Sequence, residues 1–140
     1  MKRQYRASSR QSGFTLIELA VVIVLIGTIM AVAISSISKN RKQANARLAV
    51  TQLNILSQKV SEYQSDVGSL PESLGALVNE PSNAEGWLGP YADAKQLKDP
   101  FGGDIEYRNP GSESEFELVS LGADKKVGGD GVDKDIVVKP

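Results

Sequence analysis

The 140-residue chain has the length of one domain, enough to bury a single modest core and too little for two independent ones. Lys and Arg total 16 against 17 Asp and Glu, a net charge of −1, so no global basic field exists to hold a nucleic acid. There is no Cys and no His, which removes thiolate chemistry, the usual structural zinc sites, His-based triads and the commonest general base. No spacing of Ser and Lys marks a nucleophile with its base either, so the chain reads as a non-enzyme without a catalytic residue.

Charge is unevenly spread. Residues 1–13 carry Lys2, Arg3, Arg6 and Arg10 and no acid; without them 12 basic side chains face 17 acidic ones, a net charge of −5. From Phe14 to about Ile37 the chain is almost wholly apolar, and as a helix it spans roughly 30 Å or more, enough for a bilayer core. The basic flank sets its orientation, leader inside. A run this apolar on every side would need a much larger protein to bury it. A cleavable signal peptide competes, because Ala31-Val32-Ala33 has the small-x-small form of a cleavage site. Glu18 argues against it: an isolated carboxylate inside the apolar run costs on the order of 2.5–3.5 kcal/mol and needs a partner. Lys39, Arg41 and Lys42 lie some 30 Å away along the axis. The partner is therefore expected from another chain or from a new amino terminus, and a cut between Gly13 and Phe14 creates an amine four residues before Glu18.

The run Gly13-Phe14-Thr15-Leu16-Ile17-Glu18 resembles the processing motif of the type IV pilin and pseudopilin superfamily: a short basic leader ending in Gly, then Phe at the new terminus and Glu at its fifth position. The resemblance implies cleavage by a membrane-bound prepilin peptidase between Gly13 and Phe14, N-methylation of Phe14, and pairing of Glu18 with the Phe14 amine of a neighbouring subunit during assembly.

The remaining chain divides by pattern. Residues 14–38 read as a transmembrane and assembly helix, and 39–67 as its amphipathic continuation into water. In that continuation Ala49, Leu53, Leu56, Val60, Tyr63 and Val67, spaced 4, 3, 4, 3 and 4, form one apolar stripe. A helix over the whole of 14–67 would be about 80 Å long. Gly68, followed by Leu70-Pro71, stops it. Residues 68–140, with all six prolines and 11 of the 13 glycines, predict a turn-rich head. Within it a short helix is expected over Pro71–Asn79, a loop over Pro81–Pro100 with Trp87 as a core plug, and strands over Asp104–Tyr107 and Phe116–Leu121 in a hairpin turning at Asn109-Pro110-Gly111. Ile136–Val138 would add a third strand. The predicted class is α+β: a long N-terminal helix packed on a small antiparallel sheet.

The segment 120–135 gathers Asp124, Asp130, Asp133 and Asp135 among glycines, a composition suited to a hard cation with six to eight oxygen ligands. An EF-hand beginning at Asp124 fails, with Lys126 and Gly128 at ligand places and Asp135 where a bidentate Glu belongs. The Gly-rich nonapeptide of parallel β-rolls occurs only once. From residue types alone the segment is equally a solvated turn, its charge offset by Lys125, Lys126 and Lys134. However, Ser120-Leu121-Gly122-Ala123-Asp124, the Asp99-Pro100-Phe101-Gly102 step and the run Asp66–Pro71 together resemble the major pseudopilins of the type II secretion system. Two departures are Phe101 in place of Trp and the ending Ile136-Val137-Val138-Lys139-Pro140. The resemblance implies a pilin-like fold and one structural Ca²⁺ in 120–135, held by the Leu121 carbonyl, Asp124, Asp133 and Asp135, with the Val127 carbonyl and Asp130 as weaker matches.

The same resemblance implies a structural subunit, anchored once in the inner membrane with its head in the periplasm, that polymerises into a periplasmic pseudopilus driving export of folded proteins across the outer membrane. The implied partners are further copies of the chain, minor pseudopilins, the prepilin peptidase, and an inner-membrane assembly platform with its ATPase; nucleic acid is not among them. A type IV pilus major pilin is the alternative, set against by the lack of a disulfide-closing Cys pair. A secreted calcium-binding module released after Ala33 would make Glu18 an accident.

Overall fold

The computed structural model describes residues 13–140, so the leader with Lys2, Arg3, Arg6 and Arg10 lies outside the described residues apart from Gly13. The chain divides into two compact units, with the boundary between Ser38 and Lys39. Helix α1 spans Leu16–Val67 and contributes to both.

In the first unit α1 exposes its apolar side chains all round, Leu16, Ile23, Val24 and Ile34 among them. It is the one helix among the described residues long and apolar enough to cross a membrane. Its few hydroxyls are satisfied on the helix itself: Thr28 Oγ1 donates to the Leu25 carbonyl at 2.8 Å, and Ser35 and Ser36 both donate to that of Val32. Self-satisfaction of this kind lets a polar side chain sit in a medium without water.

In the second unit the stripe on α1 faces inward, with Ala49, Leu53, Leu56, Val60 and Tyr63 buried and Val67 packed at the margin. Each buried Leu or Val contributes roughly 1.5–3 kcal/mol relative to exposure. The helix ends as its residues dictate: Gly68 takes φ 83°, and its N–H donates to the Gln64 carbonyl at 2.9 Å, a left-handed cap that a residue with Cβ adopts at a cost.

The other half of the core comes from the head. Leu74 and Leu77 enter from a single 3₁₀ turn, Leu74–Leu77, rather than from the helix expected over Pro71–Asn79. Pro71 and Gly75 leave too short a stretch of good helix formers to propagate α-helix. Trp87 does pack against the core, half-buried, its Nε1 donating to the Ala76 carbonyl at 3.0 Å. Tyr91 stands edge-on between Trp87 and Tyr63, with ring centroids 5.9 and 5.7 Å away. The segment expected to be all loop contains a second 3₁₀ turn, Ala94–Leu97, closed where the Asp93 N–H donates to Gln96 Oε1 at 2.8 Å.

Three strands form an antiparallel sheet in the order β1-β2-β3: β1 (Glu106–Arg108), β2 (Glu117–Ser120) and β3 (Ile136–Val138). Register pairs Tyr107 with Leu118 and Val119 with Val137. Asp104 belongs to an isolated bridge with Lys98 rather than to β1. As the central strand β2 is buried throughout, which is why it holds Phe116, Leu118 and Val119 around it at no measurable exposure.

Burial of β2 includes a carboxylate. Glu117 receives Ser112 Oγ at 2.5 Å and lies 3.6 Å from Lys139 Nζ, and the hydroxyl in the first place, despite burial and with help from the lysine, holds its carboxyl below the usual range. A lowered folded pKa stabilises the head above the unfolded value, about 4.3, and that contribution disappears as pH falls through the folded value. Ser112→Ala should therefore destabilise the head most above about pH 5, with the gap from wild type narrowing toward pH 3. Thermal melts across that range test this; a gap independent of pH would exclude the Ser112–Glu117 bond as its source.

Candidate functional site

Two regions carry the chemistry. At the start of α1, Gly13 and Phe14 precede the helix and are exposed, so the bond between them lies outside helical hydrogen bonding. The Thr15 N–H and Thr15 Oγ1 both donate to Glu18 Oε2, at 2.8 and 2.9 Å, and the Glu18 N–H donates back to Thr15 Oγ1 at 3.3 Å. This is a capping box, Thr at the N-cap and Glu at the third helical position, satisfying backbone donors that no helix can pair internally. The carboxylate also faces the positive end of the helix dipole. Thr15 is thus a neutral hydrogen-bond partner for Glu18 on its own helix, beside the charged partner expected from another chain or a new amino terminus. The signal is present in Thr15-Leu16-Ile17-Glu18, since T-x-x-E ahead of an apolar run marks a helix start.

The second region is the loop 121–135 joining β2 to β3. Its two limbs are held together by the Ala123 N–H donating to the Val132 carbonyl at 3.0 Å. Gly122 makes that approach possible, with φ 72° and a hypothetical Cβ only 2.8 Å from the Asp133 carbonyl. Asp124 is exposed and accepts the Lys126 N–H at 3.1 Å, while the Asp130 carbonyl accepts the Asp133 N–H at 3.2 Å. Asp135 is half-buried; its Oδ2 accepts the Gly128 N–H at 3.0 Å, and its Oδ1 is buried without a partner. Leu121 is half-buried at the root of the loop and Val127 exposed at its tip. Among the described residues no three acidic side chains converge as metal ligands, so the loop keeps Asp124, Asp130, Asp133 and Asp135 on one short segment without gathering their carboxylates. In donor chemistry the segment fits a hard cation, and Asp135 Oδ1 is a carboxylate oxygen left lacking a bond that it would normally have.

A third feature is not evident from the sequence. Asp99 is buried, its Oδ1 accepting the N–H groups of Phe101 at 3.0 Å and Gly103 at 2.7 Å, and its Oδ2 accepting Ser120 Oγ at 2.5 Å. It fastens the turn 99–103 to the end of β2, where the acidic loop begins. The Asp-Pro-x-Gly step announces a turn, but nothing local announces Ser120, 21 residues on.

With these features in place, comparisons with known proteins assign the class. Residues 36–139 match the family model described as type II secretion system (T2SS), protein G, and residues 8–34 match the prokaryotic N-terminal methylation motif. The chain is 43% identical to the type II secretion system core protein G of Xanthomonas campestris pv. campestris, over 94% of this chain and 93% of that one. It is 33% identical to the core protein G of Vibrio cholerae, over 91% of this chain and 90% of that one. The fold is similar to the crystal structure of the major pseudopilin from the type 2 secretion system of enterohaemorrhagic Escherichia coli, with TM-score 0.57, 24% identity, and coverage of 71% of this chain and 90% of that one. The chain belongs to the type II secretion system protein G family.

Proposed function

We propose that this chain is the major structural subunit of a type II secretion pseudopilus. It is made as a single-pass inner-membrane precursor with its head in the periplasm. Prepilin peptidase cleaves it between Gly13 and Phe14, Phe14 is N-methylated, and the product polymerises, together with minor pseudopilins, on an assembly platform driven by an ATPase. Filament growth then pushes folded proteins across the outer membrane, a mechanical role that requires no catalytic residue. The observation that carries this reading is the adjacency of the two family matches, the methylation motif over 8–34 and protein G over 36–139, on one chain.

The helix start supports it physically. Leaving the bilayer exchanges lipid contacts for packing between the apolar helices of neighbouring subunits. Both bonds from Thr15 use Glu18 Oε2, so Oε1 is left to receive the Phe14 amine of another subunit, and the pair offsets the cost of burying both charges and sets the axial register. N-terminal sequencing and intact mass of the membrane-associated protein from its host test the reading. N-methylated Phe14 is expected; a soluble product beginning just after Ala33 would overturn it.

The head is further proposed to bind one structural Ca²⁺ through Asp135, Asp133, Asp124 and the Leu121 carbonyl, with the Val127 carbonyl and Asp130 closing the shell. The ion supplies a positive centre that the loop's carboxylates share. Asp135 would contribute the buried Oδ1 that otherwise lacks a partner, and the positive φ of Gly128, Gly129 and Gly131 gives the loop the tight turns that bringing its carboxylates together would need. Calcium at about 100 times its dissociation constant should stabilise the head by about 2.7 kcal/mol. Asp135→Ala and Asp124→Ala should each abolish the calcium-dependent rise in melting temperature, and a wild-type protein indifferent to both Ca²⁺ and chelator would refute the site.

A further inference from the structure

Charge within the second unit is segregated along the chain. Between residues 39 and 61 every charged side chain is basic, namely Lys39, Arg41, Lys42, Arg47 and Lys59; between 62 and 94 every one is acidic, namely Glu62, Asp66, Glu72, Glu80, Glu85 and Asp93. Each half carries a surface feature of matching character. On the basic side, a groove of about 510 Å³ lies between α1 and the segment 95–100. Leu48 and Ile55 line it, 57% and 45% exposed, and Lys59, Lys95 and Lys98 stand at its edge. Lys59 and Lys98 have partners in Glu62 and Asp104, whereas Lys95 has no ion pair among the described residues.

On the acidic side Leu88 projects 76% exposed. Its N–H is held by Tyr91 Oη at 3.0 Å, and that hydroxyl donates to Asp66 at 2.8 Å, which fixes the knob on the head. Glu80 and Glu85 line one surface hollow beside Trp87, and Glu72 shares a second hollow with Glu80. None of these three glutamates has an ion pair among the described residues.

We infer that the groove lined by Leu48 and Ile55 receives Leu88 of a second copy of this chain, with that copy's Glu80 and Glu85 facing Lys59 and Lys95. A second copy is the occupant because one molecule carries both complementary surfaces at different heights: Ile55 and Asp66 are about 16 Å apart along the helix axis. Two different patches meeting head to tail leave a free patch at each end, so the contact propagates instead of closing as a dimer. The inference rests on the filament reading only for the biological use of this contact.

With no native Cys, disulfide trapping tests it without background. Full-length chains carrying Ile55→Cys and Leu88→Cys, co-expressed in the host and oxidised in the membrane, should give a mixed 55–88 dimer, and the double variant should give a ladder. Either single variant alone should remain monomeric. Lys95→Glu or Glu85→Lys should each lower the mixed product about fivefold, and the two together should restore it. Filaments without a 55–88 link would overturn the contact while leaving the filament reading intact. A link without filaments would do the reverse, and neither product would overturn both. Equal trapping by the single variants, capture of position 55 by another protein, or indifference to the charge reversals would also overturn the contact.

Discussion

Asp99→Ala is expected to destabilise the head by about 3–5 kcal/mol, because it removes two acceptor oxygens from three donors at once. Ser120 Oγ is fully buried and the Phe101 and Gly103 N–H groups are partly so, and each donor left unpaired in such surroundings costs about 1–3 kcal/mol. A domain of this kind has a net stability of only about 5–15 kcal/mol, so the melting temperature should fall by about 15 °C or more. Asp99→Asn separates hydrogen bonding from charge. Its Oδ1 still accepts from Phe101 and Gly103, and the Ser120 hydroxyl can turn to accept from the new amide, so the loss should be about 1–2 kcal/mol. Thermal melts of the full-length chain in detergent decide the matter: an alanine variant within 1 kcal/mol of wild type, by the usual scale of exposed substitutions, would show that Asp99 is not the fastening between the turn and β2.

The second large effect is expected on assembly, with folding left alone. Glu18→Gln preserves a side-chain acceptor for the Thr15 N–H and hydroxyl, since Gln serves the capping box as Glu does. It cannot carry the charge that a Phe14 amine would require. Cleavage at Gly13 should therefore proceed while filament yield and export fall on the order of tenfold or more, as expected when one buried charge loses its opposite. Glu18→Ala should also remove the acceptor of the Thr15 N–H, about 0.5–1.5 kcal/mol at the helix start, while the Thr15 hydroxyl still caps the next turn. Thr15→Val supplies the complementary case, in which the charge remains but is held by the backbone N–H alone, and an intermediate loss of assembly should follow. Wild-type filament yield from Glu18→Gln would eliminate the charge pair from the assembly step and leave Glu18 only its capping role.

Much of this protein is written in local pattern. The apolar run from Phe14, the stop at Gly68 and the stripe from Ala49 to Val67 are short-range signals, set by side-chain transfer energies, by the 3.6-residue period and by the one residue type that accepts φ 83° without strain. β3 at Ile136–Val138 and the turn-rich character of the head are legible for the same reason. The expected helix over Pro71–Asn79 shrank to the 3₁₀ turn Leu74–Leu77 because apolar spacing alone omits the cost of Pro71 and Gly75, which leave too short a stretch to propagate α-helix. The turn at Ala94–Leu97 is held by contacts from a distant element, Gln52 Nε2 donating to the Gln96 carbonyl at 2.8 Å and also to that of Lys98.

The division between the two kinds of information follows sequence separation. By itself the sequence determined the long helix with its stop at Gly68, the approximate places of the three strands, the methylation motif that covers Gly13, Phe14 and Glu18, and which residues between Leu121 and Asp135 have oxygen-donor chemistry. Only the tertiary structure decided that Asp99 reaches Ser120, that Glu117 is buried beside Ser112, that Asp135 keeps one carboxylate oxygen without a bond, and that a lysine-edged groove and an acidic knob lie on the same head. A propensity acts on one residue and its neighbours, whereas each of these pairings depends on where the chain returns after crossing the core. The energy that fixes the return is apolar burial, which carries no mark of the polar partners it brings together.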